Sequence, residues 1–111
     1  MSKRDDYRIR RVLLKLGISS NLKGYKYILT ILPILQENKI TMGKAYKEIY
    51  KKEQAKSVSD VERGIRYSIE KSYKTRKLLK NIYGRQPKVK EFLYDLLYNI
   101  DIFEEELKGD K

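Results

Sequence analysis

The sequence predicts an all-α fold, a compact bundle of about six helices that contains a helix-turn-helix. Three observations predict it. Strand signals are weak: the chain holds two prolines and six glycines in 111 residues, no Asn-Gly or Asp-Gly hairpin and no sustained two-residue alternation. Apolar residues recur instead at spacings of three and four. Ser or Thr stands repeatedly where such a stretch begins, and glycine where one ends.

The elements follow in order. Asp5 or Asp6 starts a helix running to about Leu16, with Ile9, Val12, Leu13 and Leu16 on one side and Gly17 as its C-terminal cap. Residues 18–21 form a loop. A second helix covers about 22–38, with Ile28, Leu29, Leu32 and Leu35 apolar, and Pro33 should kink or split it. Because it is apolar on more than one side, it belongs at the centre. Thr41 caps a third helix to about Gln54, striped by Met42, Ala45, Tyr46, Ile49 and Tyr50. A turn near 54–57 leads to two overlapping Ser-x-x-acid starts, Ser57 with Asp60 and Ser59 with Glu62. Two helices joined by so short a turn make a helix-turn-helix candidate, about residues 41–75.

The fourth helix, read as residues 57–74, is the most informative. On a wheel of about 100° per residue, Val61, Ile65, Ser68, Ile69 and Ser72 share one face, while Ser59, Glu62, Arg63, Arg66 and Glu70 lie on or flank the other. A packed back and a guanidinium-bearing front are what reading a DNA major groove requires. Plain solvent exposure fits the same pattern. Beyond it, Leu78, Leu79, Ile82 and Tyr83 suggest a short helix stopped by Gly84. Gln86-Pro87 breaks the chain, and an acidic amphipathic helix runs from about Val89 to Leu107, with Phe92, Leu93, Leu96, Leu97, Ile100 and Phe103 apolar. Residues 109–111 should fray. The length suits one domain, residues 1–111.

Charge narrows the partner. The net charge is +11, which suggests a polyanion, either nucleic acid or an anionic membrane surface. Residues 41–90 carry fifteen basic and five acidic side chains, whereas residues 91–111 carry two and seven. There is no cysteine and no histidine, so disulfides, thiolate chemistry and nucleophile–histidine hydrolysis are excluded. An enzyme is not expected, nor a cofactor, a metal or a small-molecule substrate. The longest apolar stretch, residues 27–35, is far short of the roughly 20 residues of a membrane span. No targeting signal stands out, so a cytoplasmic protein is expected.

Candidate contacts follow from position. Lys52, Lys56, Lys71 and Lys74 are candidates for phosphate, each adding about 0.9 to the salt slope if it binds. Ser57 and Ser59 sit where helix-start N–H groups can face a phosphate, and both also serve as caps. Tyr67 and Tyr73 on the basic helix can reach the sugar-phosphate backbone. Tyr25, Tyr27, Tyr46 and Tyr50 read as core with the hydroxyl at the surface. Glu62 can pair with Arg66 one turn on, read a base, or do both.

Three segments carry a family resemblance: residues 16–28 (LGISSNLKGYKYI), 40–52 (ITMGKAYKEIYKK) and 57–73 (SVSDVERGIRYSIEKSY). They resemble the C-terminal DNA-binding effector domain of the master sporulation response regulator of endospore-forming bacteria. The sharpest matches are Lys-Gly-Tyr-x-Tyr and Val-Glu-Arg-x-Ile-Arg. The resemblance implies about six helices and sequence-specific binding of double-stranded DNA, with a homodimer or two copies in tandem on neighbouring sites. It also implies base reading by Glu62, Arg63 and Arg66. Arginine donates to guanine O6 and N7, and glutamate accepts from cytosine N4. Two departures stand out. Met1 lies almost directly before the DNA-binding unit, so no phosphoacceptor receiver domain is expected. The turn with Glu53-Gln54-Ala55-Lys56 is one residue longer than the family's. A rival expectation is a protein-interaction module that modulates a full-length regulator of this kind through the acidic last helix.

Overall fold

Ser2 opens the first helix. Its hydroxyl accepts from the Asp5 N–H at 3.1 Å, so α1 (Lys3–Leu16) begins two to three residues before the expected aspartates, which instead lie in its first turn. The computed structural model describes residues 1–108, and the three residues expected to fray lie outside them. Among the described residues are seven helices and no strand, packed to a radius of gyration of 13.3 Å. Gly17 ends α1 with φ 84°, and its N–H reaches back to the carbonyls of Leu13 and Leu14. That left-handed cap is the conformation glycine adopts without a Cβ penalty.

The second helix, α2 (Lys23–Asn38), runs through Pro33 unbroken, so of the expected kink or split, the split does not occur. Proline removes one N–H, but Ile28, Ile31, Leu32 and Leu35 on both sides of it are buried. Burial of those side chains, at about 1.5–3 kcal/mol each, outweighs the lost bond. This helix is the centre of the molecule, packing against α3 (Met42–Glu53), α4 (Val58–Glu70) and α6 (Val89–Tyr98). Thr41 caps α3 as expected, accepting from the Lys44 N–H at 3.3 Å.

Two long helices of the sequence reading are each divided. The stretch read as 57–74 stops at Glu70, because Ser72 turns extended (φ −98°, ψ 146°) and caps α5 (Tyr73–Tyr83), taking the Thr75 N–H at 3.0 Å. Arg76 then donates to the freed carbonyls of Glu70 and Lys71 at 2.6 and 3.2 Å. The stretch read as 89–107 stops at Tyr98. Asn99 leaves helical geometry (φ −135°, ψ 37°) and its amide bonds Asp95 at 2.9 Å before α7 (Asp101–Leu107) begins. The break aims Phe103 into the core, edge-on to Phe92 and Tyr83 at centroid distances of 5.5 and 6.2 Å. The second break adds a helix, giving seven among the described residues rather than about six, whereas the first only moves back the start of the short helix expected before Gly84. Gly84 ends α5 as expected, with φ 75°.

Candidate nucleic-acid interface

The turn between α3 and α4 covers residues 54–57. Gln54 takes a left-handed φ of 54° and closes α3. Ser57 opens α4, its hydroxyl accepting from the Asp60 N–H at 3.2 Å. Of the two expected starts, the first forms the cap, and Ser59 falls inside the first turn. Its hydroxyl lies 3.1 Å from that of Ser57 and accepts from Arg63 at 3.3 Å.

The wheel of α4 holds in three dimensions. Val61, Ile65 and Ile69 are fully buried and Ser68 nearly so, its hydroxyl donating to the Ile65 carbonyl at 2.7 Å. The opposite side is open. Arg63 and Arg66 have 58% and 48% of their side chains exposed. Each is aimed by a carboxylate of its own helix: Arg63 by Asp60 at 2.6 Å and Arg66 by Glu62 at 3.3 Å. Exposed pairs of this kind contribute little stability, but they restrict where the guanidinium points. Tyr46 of α3 lies half-buried beside the Glu62–Arg66 pair. Burial pushes its hydroxyl up to about 12, with Glu62 adding to the rise and Arg66 opposing it.

The other sequence candidates divide. Lys52 and Lys56 are exposed at the end of α3 and in the turn, next to Ser57 and Ser59. Tyr67 is exposed on α4, and the Lys71 ammonium sits 5.7 Å from its ring centroid. Lys74 and Tyr73 are not on this helix. They belong to α5, and the stem of Lys74 runs beside Gly17 at the end of α1. Tyr27 is core, and Tyr25 and Tyr46 are half-buried, but Tyr50 stands exposed because it sits at the edge of the α3 stripe.

The structure adds a feature that the linear reading missed. A cleft of about 820 Å³ separates the start of α2 from the flank of α4, with Lys23 and Lys26 on one wall and Arg63 and Tyr67 on the other. The helices meet at its base through two glycines. A Cβ on Gly24 would lie 2.1 Å from the Gly64 carbonyl oxygen, and one on Gly64 would lie 3.0 Å from the Tyr27 ring. The Lys23-Gly24-Tyr25 run carried the resemblance but no site role. Its spacing in the chain from Gly64 hides the contact.

No helix among the described residues is long and apolar enough to cross a membrane. The family model described as the sporulation initiation factor Spo0A C terminal matches residues 9–92. That span runs from α1 into α6 and so includes α5, beyond the segments that carried the resemblance. No curated protein and no solved structure matches the chain.

Proposed function

The chain belongs to the family of the sporulation initiation factor Spo0A C-terminal domain, a family of DNA-binding effectors rather than enzymes, and from that premise we propose a sequence-specific, duplex-DNA-binding transcriptional regulator. In this reading residues 1–111 act as one unit in the cytoplasm. Helices α3 and α4 with their turn are a helix-turn-helix, and α4 enters the major groove. Glu62, Arg63 and Arg66 meet base edges. Lys52, Lys56, Ser57, Ser59, Tyr67, Lys71 and Lys74 serve the phosphates. Two copies bind as a homodimer or in tandem on adjacent sites.

One observation carries the reading: α4 buries Val61, Ile65 and Ile69 while both guanidinium groups stay open and are oriented by Asp60 and Glu62. A helix free to enter a groove must have such a front, and preset guanidinium groups lose less entropy on contact. The rival, an interaction module working through the acidic end, would have to share two of its carboxylates with α1. Arg8 of α1 already engages Asp101 and Glu104 of α7.

Selection of bound duplexes from a random library, followed by titration, tests the proposal. A defined sequence should emerge. Arg66→Ala should lower affinity for it by about 1–3 kcal/mol and relax base choice at one position. Equal loss on selected and scrambled duplexes would remove Arg66 from base reading.

A further inference from the structure

The cleft beside α4 is cationic beyond what its own carboxylates neutralise. Lys23, Lys26, Lys56 and Arg63 line it with Glu53 and Asp60. Glu53 is engaged by Lys26 at 3.1 Å and Asp60 by Arg63 at 2.6 Å. Lys23 and Lys56, both exposed, are left without a carboxylate partner among the described residues. Tyr67, 54% exposed on the facing wall, offers a hydroxyl donor and a ring face.

We propose that this cleft seats the sugar-phosphate backbone of the DNA strand nearest α2, with Lys23 as a phosphate ligand opposite Tyr67. The inference rests on the duplex-binding reading and extends it to an element outside α3 and α4. Three features favour a polymer backbone over a free anion. The uncompensated cations come from two separate segments, Lys23 at the start of α2 and Lys56 in the turn before α4. The cleft is open. It also adjoins the arginine-bearing face of α4, since Arg63 belongs to both. The glycine contact gives Lys23 a further role. Gly24 is pressed onto Gly64 with no side chain between them, so the backbone next to Lys23 is tied to the reading helix. A phosphate held by Lys23 therefore sets the register in which Arg63 meets the bases. Contacts to phosphate position a protein on the duplex without specifying sequence.

Titration of the full chain with selected and scrambled duplexes across a salt series tests this. Lys23→Gln should lower the salt slope by about 0.9 and weaken both duplexes by the same factor, and Lys23→Arg should restore both. Lys108→Gln, which removes one charge just beyond the far helix α7, should leave the slope unchanged. Inorganic phosphate at constant ionic strength should not compete. A Lys23→Gln slope equal to wild type, a loss confined to the selected duplex, or displacement by inorganic phosphate each overturns the proposal. If wild type binds duplex and Lys23→Gln is silent, only this inference falls. If wild type binds no duplex, the proposed function falls with it.

Discussion

Single polar atoms decide how the helix ends meet. The last carbonyls of a helix have no partner within it. In α1 those of Leu13 and Leu14 are taken by the Gly17 N–H, and that of Leu16 accepts from the buried Thr75 hydroxyl at 2.8 Å. Thr75 is wholly buried, and its hydroxyl also lies 2.7 Å from that of Ser72. One side chain thus joins the end of α1 to the start of α5. Thr75→Val keeps the shape and removes the donor, leaving a buried carbonyl unpaired, at a cost of about 1–3 kcal/mol. Urea denaturation should show a lowered midpoint for Thr75→Val and a near-normal one for Thr75→Ser. Equal midpoints for wild type and Thr75→Val would mean that the hydroxyl does not stabilise the junction. Nothing in the local text marks Thr75 as buried, because its partner is 59 positions away.

Between elements, the decisive contact is the crossing of α2 and α4. Helix axes approach closely only where side chains are absent, and Gly24 and Gly64 supply that absence. Gly24→Ala places a methyl against backbone that cannot rotate away. Its cost should reach or exceed the roughly 1–3 kcal/mol usual for overpacking. Gly43 is the contrast. A Cβ there meets nothing within 4 Å, so Gly43→Ala should stabilise by about 0.4–1 kcal/mol through reduced freedom of the unfolded chain. Thermal melts of the two variants should therefore move in opposite directions. A melt of Gly24→Ala equal to wild type would refute the close crossing. The paired helix breaks belong to the same scale. Ser72 fits the buried stripe of α4 on a wheel, yet it serves as the cap of α5, because Arg76 and Thr75 supply the partners that end one helix and start the next.

Across the whole molecule, charge is segregated but partly closed on itself. Arg8 bonds both Glu104 and Asp101, joining the first helix to the last. The Arg8 hydrogen bond and charge hold the Glu104 carboxyl below its ordinary value, with Arg4 adding to the effect and desolvation opposing it. Arg85 does the same to Glu91 at the start of α6. Both carboxyls are lowered in the folded state, so their contribution is present at neutral pH. It is lost as pH falls below the ordinary glutamate range and through the depressed folded values. Glu104→Gln should therefore be less stable than wild type at neutral pH, and the gap should narrow in acid, read from urea midpoints across the pH series. A gap independent of pH would mean that the pair is not ionic in effect. Arg8 thus ties part of the acidic end to α1, while Arg63 and Arg66 of α4 stay exposed.

The amino-acid pattern alone determined the helical class, the caps at Gly17, Thr41 and Gly84, a serine start for α4 at one of two positions, and the two-sided character of α4. These depend on residues within about one turn of each other, where spacing and hydrogen-bonding chemistry act locally. Tertiary packing decided the rest. Pro33 stays inside α2 because its neighbours are buried. The helices end at Ser72 and Asn99 because the changes of direction there bring Thr75 to the Leu16 carbonyl and Phe103 against Phe92 and Tyr83. Gly24 meets Gly64 and opens a cationic cleft that no run of sequence contains. Such features arise from contacts between residues tens of positions apart, and their free energy exists only once the helices are packed.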